Sequence, residues 1–283
     1  MSADRVSRRA APDDADTPEV VSTADTVPVR DTHRFDVAAL ERYMARHVAG
    51  FRGPVTVSQF QGGQSNPTYR LSSPSGEYVL RRKPPGKLLP SAHAVDREYR
   101  VITALAETTV PVPRTFALCE DDAVIGTAFF IMEWVQGRVM ADPLLPGVSP
   151  GDRGRIYDSM NDVLARLHRV DLGATGLTDY GRPGSYFARQ IHRWTSQYRA
   201  SETERIEAME HLIAWLPDHV PPDDRPTIVH GDFRPGNLIM HPTEPRVVAV
   251  LDWELSTLGS PLADLAYNCM PYRLGPSTLG GVL

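Results

Sequence analysis

The sequence predicts an α+β protein in two lobes, a small antiparallel sheet followed by a mainly helical half. Three observations predict it. Short runs of strand-like residues crowd between positions 55 and 135, punctuated by Gly, Pro and Ser turns as hairpin strands are. Helical spacing of apolar residues takes over at 150–168 and again at 185–199. A length of 283 residues suits two lobes around one cleft better than several domains. The expected boundaries are a lead over 1–33, a first lobe over 34–135 and a second over 136–283.

The lead is polar, rich in Asp, Ala, Pro and Thr and without periodicity, so it is expected to be disordered. Arg5, Arg8 and Arg9 hint at a transit peptide, but Asp4, Asp13, Asp14 and Asp16 argue against one. Order is expected from Phe35-Asp36-Val37, where Asp36 can cap a helix carrying Leu40, Tyr43, Met44 and Val48. Val55 to Phe60 alternates like a strand, and the chain turns through Gly62 and Gly63 to run back along Thr68 to Leu71. The two glycines allow close approach of backbone to a phosphate, with Ser65, Asn66 and Thr68 as extra donors. An ordinary Gly-Gly hairpin fits the same residues.

Tyr78 to Lys83 reads as the next strand and stops at Pro84-Pro85, which cannot continue a ladder. Period-two alternation puts Val79, Arg81 and Lys83 on one face. Lys83 and Lys87 are the chain's two lysines among 30 basic residues, so a phosphate-binding cation is either Lys83, against the proline stop, or Arg81. Arg81 is preferred, although Arg is no neutral swap for Lys. Val95 to Leu105 follows as a helix with Val95, Tyr99, Ile102 and Leu105 on one face, and Glu98 falls beside that stripe. An acid so placed wants a partner, and Arg81 is the expected one; a surface glutamate is the alternative. Val112 to Cys119 and Phe129 to Val135 read as two further strands, the second ending at Gln136-Gly137. A helix from near Pro150 closes at Leu167-His168, with His168 packed or capping, and another runs from Ser185 to Arg199.

The most informative segment comes late. His230-Gly231-Asp232-Phe233-Arg234-Pro235-Gly236-Asn237 is followed, 15 residues past Asn237, by Asp252-Trp253-Glu254. Asp232 can accept or orient a hydroxyl proton, while Asn237 and Asp252 offer hard oxygen ligands suited to Mg²⁺. A Gly- and Pro-rich turn joining two strands, with Asp and Asn only as turn formers, is the alternative. His230 reads as a buried orienter of the loop, and Asp264 as its brace. Glu254 is open between a metal-bound water and a backbone contact.

This order of parts resembles the aminoglycoside phosphotransferase/choline kinase group: Gly-rich hairpin, Val-Leu-Arg strand, helix Glu, hinge, His-Gly-Asp loop and Asp-Trp-Glu. Tyr78 to Tyr99 and His230 to Ala266 are similar to the kinase-like domain of the acyl-CoA dehydrogenase 10/11 type. The resemblance spans residues 36–283 and implies a two-lobed protein-kinase-like fold. It further implies ATP and Mg²⁺ as cofactors, Asp232 as catalytic base, Asn237 and Asp252 on metal, and adenine bonded by backbone near Met132 to Val135, Glu133 and Val135 among them. The acceptor would be a hydroxyl of a small molecule such as a hydroxy acid or hydroxyacyl-CoA. Aminoglycosides or choline, and a nucleotide-binding module without turnover, are the alternatives. Arg234 departs from the aminoglycoside pattern and stands where protein kinases carry a Lys, placed to neutralise charge on a transferring phosphoryl group. Relatives continue past the equivalent of Leu283, so an incomplete second lobe is expected.

Composition excludes other classes. A net charge of −5 argues against a general nucleic-acid binder, and no apolar run approaches the length of a membrane span. Cys119 and Cys269, far apart, suggest reduced thiols and a cytoplasmic setting rather than a metal cluster. Arg182, Arg189, His192, Arg193 and Arg199 make the 185–199 helix locally basic, which suits an anionic acceptor. A solvated face balanced by Glu202, Glu204, Glu207 and Glu210 is as good a reading.

Overall fold

The computed structural model describes residues 21–22, 25–60, 66–84, 94–182, 184–222 and 225–275. Numbered along the chain, its strands are β1 (Val21–Ser22), β2 (Thr56–Gln59), β3 (Thr68–Ser73), β4 (Gly76–Arg82), β5 (Thr115–Cys119) and β6 (Phe129–Glu133). They continue with β7 (Arg138–Val139), β8 (Thr227–Val229), β9 (Leu238–Met240), β10 (Val247–Val250) and β11 (Thr257–Gly259). The helices are α1 (Val37–His47), α2 (Val95–Leu105), α3 (Asp122–Ile125), α4 (Pro150–Leu167), α5 (Tyr186–Ser201), α6 (Glu207–Trp215) and α7 (Pro261–Cys269).

The first lobe is a five-stranded antiparallel sheet in the order β2-β3-β4-β6-β5. β4 lies at its centre and is buried on both faces, which is why its sequence is apolar on both sides of the pleat. Tyr78 and Leu80 join Leu40, Met44 and Phe129 in a core closed by α1, whose N-terminus is capped by Asp36 accepting from the Ala39 N–H at 3.0 Å. Val79 faces the other way, with Val95, Val101, Ile102 and Phe130, in a core that runs on into the second lobe. Arg81 points with Val79, as period two requires.

The second lobe is built on α4, which buries Ile156, Met160, Val163, Leu164 and Leu167 along one stripe and is capped by Ser149. Beside it lie the sheet β1-β7-β9-β10 and the pair β11-β8. The two lobes join at Gly137, where a Cβ would stand 2.3 Å from both the Ile239 side chain and the Met240 carbonyl. Only glycine allows that approach between hinge and β9. Neither α5 nor α6 contains a fully buried residue. Among the described residues no helix is long and apolar enough to cross a membrane.

Three expectations are corrected. The lead is not unstructured throughout: Val21 and Ser22 pair with Val139 and Arg138, and Val27 bridges Gln59 at the sheet edge. Val29 and Phe35 pack on the α1 core, while buried Arg82 donates to the His33 carbonyl at 3.0 Å with its guanidinium 5.1 Å from the Phe35 ring. Apolar residues too few to show periodicity suffice here because a ready sheet edge receives them. The strand expected from Val112 begins at Thr115, since Pro113 has no N–H for a ladder. The strand expected to reach Val135 ends at Glu133, just before the hinge.

Candidate active site

β8 delivers the chain into the loop that begins at His230. This imidazole is fully buried, and its Nδ1 accepts from the Asp232 N–H at 3.2 Å while Nε2 lies 2.9 Å from the Leu251 carbonyl. A carbonyl can only accept, so Nε2 carries the proton and the ring is neutral. Burial holds its pKa below the ordinary value, against the pull of Asp264. His230 thus orients the loop. Asp264, on α7, accepts from the N–H groups of both His230 and Gly231 at 2.8 Å, and His168 at the end of α4 sits 3.0 Å from the same carboxylate. Gly231 adopts φ +86°, and a Cβ there would come within 2.8 Å of the Leu255 carbonyl, so the turn needs glycine.

The carboxylate of Asp232 is held from several sides. Asn237 donates from Nδ2 to its Oδ2 at 2.7 Å and to its carbonyl at 2.8 Å, and Arg234 Nε lies 3.1 and 3.2 Å from the two carboxylate oxygens. The phenol of Tyr267, on α7, is pushed up to about 12 by burial and then by the neighbouring Asp232. The β9–β10 hairpin brings the second acid back to this loop: the Leu251 N–H donates to the Asn237 carbonyl at 2.9 Å. Asp252 follows with φ 64° and ψ 61°, a left-handed conformation disfavoured for a residue with a Cβ. It is over-determined by Trp253, which is buried, donates from its indole to Val250 at 3.1 Å and packs 4.7 Å from the His230 ring.

Across the cleft, Arg81 reaches into the second lobe. Its Nε donates to Glu98 at 2.9 Å, one terminal nitrogen lies 3.4 Å from the Thr68 hydroxyl, and the other is bonded to Asp252 and sits 3.7 Å from Glu254. Asn66 adds a bond from Nδ2 to Glu254 at 3.2 Å. Arg81 and Glu98 are both buried. Burial opposes the Arg81 charge, but Glu98, Asp252 and Glu254 outweigh it and raise its pKa. Lys83, by contrast, stands 4.0 Å from Asp96.

An acid loop facing a strand cation and a helix glutamate is the layout the sequence motifs implied, and the comparisons bear on it directly. The model of the phosphotransferase enzyme family matches residues 56–282. The chain belongs to that family. Acyl-CoA dehydrogenase family member 10 of Mus musculus is 53% identical over 253 residues, covering 89% of this chain and 24% of that protein. Family member 11 of Rattus norvegicus is 47% identical over 266 residues, covering 92% of this chain and 34% of that protein. The chain therefore spans about a quarter to a third of the length of these curated relatives. The crystal structure of a candidate aminoglycoside phosphotransferase from Ralstonia eutropha is 55% identical with a TM-score of 0.80, covering 88% of this chain and 74% of that one. At the level of fold alone, a thermostable mutant of aminoglycoside phosphotransferase APH(4)-Ia in complex with ADP and hygromycin B gives a TM-score of 0.59 at 17% identity, covering 83% of this chain and 77% of that one.

Other sequence expectations for this family member resolve unevenly. Gly62, Gly63 and Ser65 lie outside the described residues. Glu133 is exposed; its side chain accepts from the Arg114 N–H at 3.1 Å and its own N–H donates to the Arg114 carbonyl at 2.7 Å, so of its backbone only the carbonyl could serve a nucleotide base; Val135 follows two residues later, half-buried before the hinge. The basic face of α5 is partly spent: Arg189 donates to the carbonyls of Gly184 and Arg182, and Arg199 is held by Glu202 and Glu210. For Arg199 the balanced-face reading is the better one, whereas Arg189 is held by backbone carbonyls rather than by an acid. Asp264 takes the bracing role expected of it, whereas the involvement of His168 and Tyr267 was not foreseen. Their signal was weak, since a helix-end His and a Tyr three residues past an Asp carry no motif.

The donors fit a hard divalent cation. Asn237 spends its amide nitrogen on Asp232 and keeps its oxygen, Asp252 is a carboxylate, and Glu254 lies two residues on. Among the described residues no group of three or more His, Cys, Asp or Glu side chains could hold a metal by itself. A cation bound here would draw on the Asn237 amide and on phosphate oxygens as well.

Proposed function

We propose that this chain is an ATP- and Mg²⁺-dependent phosphotransferase acting on a hydroxyl of a small anionic molecule, a hydroxy acid or its CoA thioester. The observation that carries the proposal is Asp232, whose carboxylate is fixed by Asn237 and Arg234 at the mouth of the hairpin that bears Asp252. In this reading Asp232 accepts the acceptor's hydroxyl proton as the oxygen attacks the terminal phosphorus. Asn237, Asp252 and Glu254 would hold Mg²⁺, which when bound neutralises charge on the phosphates. Arg81, fixed by Glu98, would steady the phosphates from the other lobe. Asn66 and the glycines at 62 and 63 would cover them, with backbone at Glu133 and Val135 serving the base. Arg234, its side chain 45% exposed beside Asp232, would oppose charge on the phosphoryl group in transit.

Four things support the choice of cofactor and acceptor. The family is one of phosphotransferases. The distant APH(4)-Ia structure holds ADP together with a small-molecule substrate. The curated relatives are named for acyl-CoA chemistry, and a cation next to the base suits an anion better than a polycationic sugar. The Ralstonia eutropha protein, a candidate aminoglycoside phosphotransferase, favours aminoglycosides as a second acceptor class. Incubation with labelled ATP and a panel of hydroxy acids, their CoA thioesters, choline and aminoglycosides separates the two. Label appearing in a hydroxy acid or thioester supports the proposal, label only in an aminoglycoside supports the second reading, and nucleotide binding with no transfer to any acceptor refutes both.

A further inference from the structure

We infer that Arg97 is a positioning residue: with Tyr180 it locks α2 onto the second lobe, so that Glu98, the next residue along, presents Arg81 to the phosphates of the nucleotide. The inference deepens the phosphotransferase reading and rests on it. α2 is shared between the lobes. Its apolar stripe of Val95, Val101, Ile102 and Leu105 packs with Val79, Phe130 and Met132 of the first-lobe sheet, and Thr103 bonds Thr115 of β5 at 2.7 Å. Its polar edge turns to the other lobe. One terminal nitrogen of Arg97 donates to the Tyr180 carbonyl at 2.9 Å and lies 3.4 Å from the Ser256 carbonyl, while the guanidinium sits 4.5 Å from the centre of the Tyr180 ring. One turn later Arg100 donates to the Gly176 carbonyl at 2.8 Å and pairs with Asp179.

The groups that Arg97 grips are themselves fixed. Arg97 is exposed, but Tyr180 is only 1% exposed and Ser256 4%, so the grip is on buried backbone. Ser256 gives its one hydroxyl proton to the Trp253 carbonyl at 2.5 Å, so the Tyr180 hydroxyl is the donor in the 2.7 Å bond between them. Gly181 closes the bracket: a Cβ there would stand 2.6 Å from the Leu258 nitrogen and the Thr257 hydroxyl, which leaves the chain after Tyr180 pressed on β11. Ser256 stands two residues past Glu254. Arg97 therefore ties α2 to the same segment that Arg81 reaches through Asp252 and Glu254. Glu98 is buried and meets Arg81 at one height of α2 along that segment, and a charged donor on two backbone carbonyls sets the height.

The test compares ADP with adenosine by titration calorimetry, because Glu98 acts on the phosphates through Arg81 and not on the base. Arg97→Met keeps an apolar stem and removes the donors. It should bind ADP about tenfold more weakly than wild type, the worth of about one hydrogen bond from a charged group, with adenosine affinity held within about twofold. Arg97→Lys keeps one charged donor group and should recover part of the loss. Tyr180→Phe keeps the ring beside the guanidinium, removes the hydroxyl, and should show the same ADP-selective loss in smaller measure. ADP affinity unchanged in folded Arg97→Met, or ADP and adenosine weakened by the same factor, overturns the inference, since a tie that serves only the loop spares both ligands or harms both. Should Arg97→Met not fold, the same outcomes are read from Tyr180→Phe. An ADP-selective loss in a protein that transfers phosphate to no acceptor upholds the lock and sinks the kinase reading instead; transfer by wild type with no selective loss in Arg97→Met does the reverse. A wild type that binds neither ligand sinks both.

Discussion

At the scale of single residues, the site depends on groups held in one protonation state. His230 is neutral in the fold because burial disfavours its charge and both ring nitrogens are already bonded. The unfolded chain takes up a proton near the ordinary value of 6.5 that the folded chain refuses. The contribution of His230 is thus complete above pH 6.5 and is lost as pH falls through and below it. Urea midpoints measured between pH 8 and pH 5 should decline toward acid (a range set by the ~6.5 His reference), and the decline should be shallower in His230→Gln. Equal slopes would remove His230 as the cause. Asp264 is a second residue on which the loop depends. Replacing it by Ala leaves the N–H groups of His230 and Gly231 without an acceptor, and about 2 to 4 kcal/mol of stability should go with it. Chemical denaturation reads this directly, and a loss under about 0.5 kcal/mol, typical of surface changes, would contradict the bracing role.

At the scale of elements, close approach matters more than propensity. Gly137→Ala puts a methyl 2.3 Å from Ile239 and the Met240 carbonyl, so the hinge must move off β9. We expect a loss of about 1 to 3 kcal/mol with weakened nucleotide binding, seen as a lower melting temperature and a raised Kd for ADP. A variant with unchanged affinity would show that the hinge does not set the cleft. Much of this element-level organisation was legible in the sequence. Alternation in β4 assigned Arg81 to the same face as Val79, the stripe on α2 left Glu98 at its edge, and the spacing from Asp232 to Asn237 and Asp252 marked the hairpin. Less legible were features fixed by contact with distant parts. The ordering of Val21, Val27 and Val29 depends on strand edges supplied from elsewhere in the fold. The spending of Arg189 on the carbonyls of Gly184 and Arg182 follows from a local turn that no charge count reveals. His168 reaches Asp264 only because the fold brings the end of α4 to α7, the two residues being 96 positions apart in sequence.

At the scale of the whole molecule, Arg81 and Asn66 tie the first lobe to the loop of Asp252 and Glu254 in the second. A ligand that bridges the same gap should stabilise both lobes together. Mg²⁺ with ADP at about 100 times its Kd should add about 2.7 kcal/mol to unfolding, read as a single upward shift in melting temperature. A shift from Mg²⁺ alone as large as that from the pair would argue against a nucleotide between the lobes. The central claim is that Asp232 serves as base for transfer to a small hydroxyl compound. It is tested most directly by following the labelled terminal phosphate of ATP into hydroxy acids and their CoA thioesters with wild type and Asp232→Asn side by side. The account predicts labelled acceptor with wild type and a fall of about 10²- to 10⁴-fold in the variant, with ADP affinity retained. Transfer at the wild-type rate by Asp232→Asn would contradict it.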